Sequence, residues 1–315
     1  MVAPELSKTA ARTSVRGIRG GVISGSRAGT AHWLCRLPLL FASLAVSQSV
    51  LGVEAGNLHW AYSAYFGTGT YKLGDLASVA VVRPNPFWTL RESAIDDEGN
   101  RTLGWRFRLP VAIGYHEFDF RAISEALDPG NVVTISIIPG VEMDIPVTRR
   151  WLLRPLLYAG WGTTTDDSET AWSYWTGIKS RYSWNTGKLE WSLLNAISYV
   201  GFNPDEDNTE GMVPIMMGFE WAYPFTNWKM DNDPLELSWH LAYTSFQNDL
   251  DLPPFLDPNT ERVLDLWQVG VALGRQGKNF EFWKFKWDRV GLAFERGGGG
   301  NLRGIKIYFS SFFDK

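Results

Sequence analysis

The sequence predicts an all-β protein, a transmembrane antiparallel β-barrel of about twelve strands. Three observations carry this. Segments alternating apolar and polar residues with period two recur along the chain, and no stretch of useful length has the helical period. Sixteen Trp are scattered through the 315 residues rather than clustered. An indole has an apolar body and one N–H that wants water or a headgroup, so it suits a membrane interface better than a dry core. From Gly56 onward no apolar run approaches the roughly 18 residues that a spanning helix needs. A mean hydropathy of -0.15 fits strands with one lipid-facing side and a polar lumen.

The N-terminus reads as an export signal. Arg27 and Arg36 precede an apolar run from Leu37 to Leu51, and Val53-Glu54-Ala55 offers small residues at the −3 and −1 positions of a cleavage site. Residues 1–55 are therefore expected to be a signal peptide, with an extended basic region ahead of the apolar run. Residues 56–315 are expected to be the barrel. Cys35 is the single cysteine and lies before the apolar run, where a lipoprotein acylation site cannot be. The exported part then has no thiol to oxidise in the periplasm. Residues 1–55 hold six of the 30 basic and two of the 34 acidic side chains, which leaves 24 and 32 and a net charge of −8. Nucleic-acid binding wants the opposite sign and is excluded.

Taken in order, Asn57 to Lys72 is aromatic and glycine-rich and reads as a first strand. Ala77 to Arg91 carries Val79, Val81 and Val82, then Pro84 and Pro86, which imply a bend or an edge position. Trp105, Phe107, Leu109, Val111, Ile113 and Tyr115 alternate with Arg106, Arg108, Pro110, Ala112, Gly114 and His116. An aliphatic middle with an aromatic at each end is the profile of a lipid-facing strand. Asn131–Val147 and Trp151–Thr163 follow. Trp172, Tyr174, Ile178, Tyr182 and Trp184 share a face opposite Ser173, Lys179 and Arg181. After the turn Asn185-Thr186-Gly187 come Leu189, Trp191, Leu193, Ile197 and Tyr199 against Glu190, Ser192 and Ser198, a hairpin pattern.

Val213 to Tyr223 continues the alternation, with Ile215, Met217, Phe219 and Trp221 on its apolar face. Leu235, Leu237, Trp239, Leu241 and Tyr243 oppose Glu236, Ser238, His240 and Thr244. Trp267 to Leu273 makes another strand, and Phe280 to Arg296 is long enough to be bent or bulged. The glycine run before Asn301 is a turn, and a last strand follows it. There Ile305, Ile307, Phe309 and Phe313 lie opposite Lys306, Tyr308 and Ser310. An aromatic-rich closing strand belongs to a bacterial outer-membrane barrel, although Asp314 and Lys315 extend beyond the usual terminal aromatic.

Loop lengths test the count. With Lys315 in the periplasm, Gln276–Lys278, Asn185–Gly187 and Thr148–Arg150 are short periplasmic turns, and Thr226–Asp233 is the one long exception. Gly297–Asn301, Asn248–Glu261, Asn203–Gly211, Thr164–Glu169 and Arg121–Gly130 fall on the other side. That asymmetry is the one expected of outer-membrane barrels. The longer loops are acidic, with Asp166, Asp167, Glu169, Asp205, Glu206, Asp207, Glu210, Asp249, Asp251 and Asp257. They are read as solvated loops. Lipopolysaccharide, whose phosphates carry divalent cations, is their expected neighbour.

Gly104–Tyr115 and Asn301–Phe309, with the glycine turn before the latter, resemble the solitary outer-membrane autotransporter-like β-barrel family. Members look like the translocator barrel of an autotransporter that has lost its passenger, and the resemblance covers roughly residues 75–313. It implies a twelve-stranded barrel and no catalytic residues.

Alternation alone puts Arg106, Arg108, Glu142, Lys179, Arg181, Glu190, Glu220, Glu236 and His240 on the lumen side. Mixed charges in a narrow barrel are expected to pair with one another, because an unpaired charge off water is costly. The alternatives are that they line a narrow diffusion pore or serve a barrel-embedded lipid hydrolase. A hydrolase needs a Ser/His/acid set reaching the lipid side, and His116 and His240 fall inward by register. No nucleophile elbow, P-loop, HExxH or zinc pattern is present, so no catalytic residue, cofactor or metal is assigned. The expected partners are outer-membrane lipids, lipopolysaccharide and the barrel assembly machinery.

Overall fold

The computed structural model describes residues 65–73, 77–118, 131–165, 169–205, 208–230, 233–250, 263–276, 280–282, 285–299 and 302–310. The chain divides into residues 1–48 and 49–315, and the described residues all belong to the second unit. The expected signal peptide, its cleavage site, Phe313 and most of the acidic loops lie outside them.

Twelve antiparallel strands form one ring. Strand β1 is Gly69–Leu73; β2 is Ala77–Val82 continued as Phe87–Arg91; β3 is Gly104–Arg108 continued as Val111–Phe118. Strand β4 is Asn131–Ile137 continued as Gly140–Thr148, and β5 is Trp151–Thr164. The tall strands follow: β6 Thr170–Thr186, β7 Leu189–Asp205, β8 Asn208–Met212 continued as Pro214–Met230, and β9 Asp233–Leu250. Strands β10 Val263–Arg275, β11 Arg289–Gly297 and β12 Leu302–Tyr308 complete it. Each pairs with its sequence neighbours, and β1 closes the ring against β12, with Gly69 opposite Lys306 and Leu73 opposite Leu302. The interruptions in β2, β3 and β4 fall at Pro84 and Pro86, at Pro110 and at Pro139, where the missing N–H cannot serve the ladder.

Alternation sets the two faces. Ile113, Leu157, Trp172, Met217, Leu241, Leu292 and Ile305 are exposed on the outside, while Ala112, Ser173, Ala242 and Ala293 are buried on the inside. A continuous apolar outer surface on a closed sheet has no soluble explanation. In hydrocarbon it is the required one.

Four expectations are corrected. Among the described residues the first strand begins at Gly69, so the expected strand Asn57–Lys72 is not continuous: residues 65–68 are not strand, Phe66 is buried inside the ring at 2% exposure, and 57–64 lie outside the described residues. Phe280 to Arg296 is not one bent strand. Phe280–Phe282 and Phe285–Trp287 form a small hairpin of their own, and only Arg289–Gly297 joins the barrel. The Asn203–Gly211 loop is largely strand, and β9 runs on to Leu250. Lastly, β8 and β9 extend to Met230 and from Asp233, so the exceptional long turn shrinks to residues 231–232. Short turns at 149–150, 187–188 and 231–232 thus mark one end of the barrel, and the connections 119–130 and 251–262 mark the long-loop end. The short-turn end has two exceptions, a small hairpin between Ala94–Ile95 and Arg101–Thr102 and the Phe280–Trp287 hairpin, which makes the β10–β11 connection longer than the expected Gln276–Lys278 turn.

Candidate functional site

Among the described residues the interior concentrates charge, and two ionic clusters stand on opposite walls. In the first, Glu142 of β4 accepts from Arg108 Nε of β3 at 2.9 Å and from the Tyr158 hydroxyl of β5 at 2.8 Å. Lys179 Nζ of β6 reaches the same carboxylate at 3.4 Å. Two residues along β4, Asp144 pairs with Arg106 Nε at 3.0 Å and accepts a bond from Arg154 Nε of β5. Four cations thus surround two carboxylates. In the second cluster Arg289 of β11 meets Glu220 of β8 at 3.0 Å, Asp288 at 3.1 Å and Glu236 of β9 at 3.8 Å. Its Nη1 also donates to Ser238 Oγ at 2.8 Å. Here one cation faces three carboxylates.

Every residue singled out by alternation has a place. Arg106, Arg108, Glu142, Lys179, Glu220 and Glu236 belong to these clusters. Arg181 Nη2 pairs with Glu190 at 3.0 Å, and its Nε donates to Ser183 Oγ at 2.9 Å. His240 Nε2 lies 2.7 Å from Gln268 Nε2, and its Nδ1 lies 3.2 Å from the Tyr308 hydroxyl. His116 Nε2 lies 3.1 Å from Thr134 Oγ1. Asp144, Arg154 and Arg289 were missed. The first two share the parity of Glu142 and Leu156 and were open to the same argument. Arg289 was hidden because the hairpin ahead of it breaks the count of alternation through that segment.

The interior also departs from a uniformly polar lumen. Towards the long-loop end Val200, Phe202, Met212, Phe246 and Leu302 pack in one buried apolar cluster with Phe66. The chain leaves the wall at Gly67 and carries Tyr65 and Phe66 inward. The Tyr65 ring stands 6.1 Å from Trp175 of β6 and 5.9 Å from Phe246 of β9. Several contacts bridge strands that are not neighbours. Arg289 to Glu220 spans β11 to β8, and Tyr308 to His240 spans β12 to β9. The Arg83 guanidinium, between the halves of β2, lies 5.7 Å from the Trp175 ring on β6. Such contacts are chords across the lumen.

A closed ring with apolar residues outside and paired charges within is an integral membrane β-barrel. Its fold is that of the autotransporter β-domain of the bacterial outer membrane. It is similar to the β-domain of the Bordetella autotransporter BrkA, with a TM-score of 0.51 and 8% identity over 76% of this chain and 92% of that one. The translocator domain of autotransporter NalP from Neisseria meningitidis aligns with a TM-score of 0.48 and 11% identity, over 88% and 96% of the two chains. LpxR from Salmonella typhimurium aligns with a TM-score of 0.40 and 10% identity, over 76% and 90%. At such identities the likeness is one of fold alone. No protein-family model and no curated protein matches the sequence.

Proposed function

We propose that the protein is a non-enzymatic outer-membrane barrel whose lumen is held shut by its own side chains. The observation that carries this reading is the set of chords between non-adjacent strands, above all Arg289 to Glu220 at 3.0 Å. Each chord occupies cross-section that a solute would need. Lipid contacts the outer face. Lipopolysaccharide at the long loops, recognition by the barrel assembly machinery and removal of residues 1–55 on export complete the reading. N-terminal sequencing of the mature protein should begin at Gly56, and an intact leader would reject the cleavage.

A second reading, a narrow diffusion pore, is favoured by the separation of charge. Excess cations on β3–β6 and excess carboxylates on β8–β11 create a field across the lumen that would select among ions. Planar-bilayer recording separates the two. The closed reading expects no stepwise conductance from the native protein and discrete openings from Arg289→Ala. Stable openings of the native protein would establish the pore.

A further inference from the structure

The lipid-facing wall carries a carboxamide where its pattern calls for an apolar side chain. Strand β7 presents Trp191, Leu193, Asn195, Ile197 and Tyr199 to the outside, while Ser192, Leu194 and Val200 are buried on the other face. Asn195 is partly exposed, four residues from Trp191 in one direction and four from Tyr199 in the other. With about 3.4 Å per residue and a strand tilt near 40°, its amide lies roughly 10 Å from either aromatic level, in the middle of the apolar band. Mid-strand outward positions elsewhere on the wall are Leu157, Met217, Leu241, Val269 and Leu292.

Neighbouring polar groups on this face close on one another. Trp151 Nε1 of β5 donates to Ser180 Oγ of β6 at 2.9 Å, and the hydroxyls of Tyr174 and Tyr199 lie 3.5 Å apart. Across the ladder Asn195 stands opposite Ser180 and Met217, yet its side chain makes no hydrogen bond among the described residues. Leaving a carboxamide unsatisfied in hydrocarbon is costly. At mid-membrane depth a lipid offers only methylenes, because its ester and phosphate groups stay at the aromatic levels. A partner that reaches Asn195 is therefore a group on another membrane-spanning wall. A carboxamide is its own complement, since its N–H₂ donates where its carbonyl accepts. Two copies related by a two-fold axis along the membrane normal satisfy each other with two hydrogen bonds.

We propose that β6 and β7 form the face of an isologous dimer with a second copy of this chain. The two Asn195 carboxamides pair at mid-membrane, Ile197 and Met217 pack around them, and the exposed Thr176 of β6 adds a hydroxyl to the same patch. The dimer face is independent of whether the lumen conducts.

Cross-linking in native outer membranes tests the face. The full chain with Cys35→Ser carries either Ile197→Cys, beside Asn195, or Ile307→Cys, five strands around the ring; these positions are 45% and 41% exposed. Heat-dependent mobility verifies that both variants fold. A membrane-permeant bismethanethiosulfonate should join two copies through Ile197→Cys and none through Ile307→Cys. Single-molecule photobleaching in vesicles of increasing lipid dilution then reads the dissociation constant of the dimer. Asn195→Leu should raise it about tenfold, and Asn195→Gln, which keeps the amide, by no more than about twofold, as two hydrogen bonds between membrane segments imply. Absence of a cross-link, a cross-link to a different protein, or equal yields at the two positions overturns the dimer face. Association of Asn195→Leu as tight as that of the native chain overturns the role given to the amide.

Discussion

Leu241 and His240 are adjacent in β9 and meet opposite environments. Leu241 is 42% exposed on the outer face, and His240 is buried between Gln268 and Tyr308. Leu241→Arg should cost roughly 2–4 kcal/mol near mid-bilayer. Leu241→Ala should cost at most about 2 kcal/mol, because acyl chains refill the space and only the transfer of the removed carbons is lost. A packed soluble core would instead charge about 2–5 kcal/mol for the same truncation. On alternation alone, His240→Arg should cost about 1 kcal/mol or less. Its actual neighbours raise that to roughly 1–3 kcal/mol, since two buried hydrogen bonds are lost. At the second ionic cluster, Arg289→Ala removes the cation shared by three buried carboxylates and should cost about 3–5 kcal/mol, with partial recovery when Glu220→Gln is added. Reversible unfolding from bilayers measures all five variants. A cost below 1 kcal/mol for Arg289→Ala would show that the cluster does not hold the interior together.

Among the elements, the β6–β7 hairpin shows what the sequence makes legible. Trp184 pairs with Trp191, Trp191 with Trp221 and Trp221 with Trp239, a row across four strands with ring centroids 6.2, 6.1 and 6.3 Å apart. Period two puts Trp184 and Trp191 on the apolar face without any coordinates, but the turn is Gly187-Lys188 rather than Asn185-Thr186-Gly187, since Asn185 and Thr186 stay paired with Glu190 and Leu189. Gly187 takes a φ of +63°, so Gly187→Val should destabilise the hairpin by roughly 1–2 kcal/mol while Lys188→Ala leaves it unchanged within error. Equal stabilities of the two variants would place the turn elsewhere. Less was legible where the side-chain pattern and the backbone disagree. Asn203, Asp205, Lys229 and Met230 fall in segments read as loop, yet they stay paired because cross-strand bonds continue beyond the apolar band, while the register shifts between Phe225 and Lys229. Asn57–Lys72 is aromatic on both faces, so alternation could not distinguish a wall strand from a chain that turns inward at Gly67. The charged clusters were legible in their parity, but not in their partners. Pairing across the lumen depends on closure and tilt, which no local pattern encodes.

For the whole molecule, twelve strands in one ring explain why an acidic chain of modest hydropathy can live in lipid. Its apolar residues are spent on the outside, and the inside is divided between an aromatic–aliphatic layer and two ionic clusters. The central claim is that one face of every strand meets hydrocarbon and the other meets the filled interior. Spin labels placed one at a time from Leu235 to Phe246 in β9 test this most directly, with Cys35 removed along with the leader or replaced. Collision with dissolved oxygen should be high at Leu235, Leu237, Trp239, Leu241 and Tyr243 and low at Glu236, Ser238, His240, Ala242 and Thr244. A polar nickel chelate should reach neither set in mid-strand. Uniformly low oxygen collision along the strand, or chelate access at the odd positions, would contradict a lipid-facing wall.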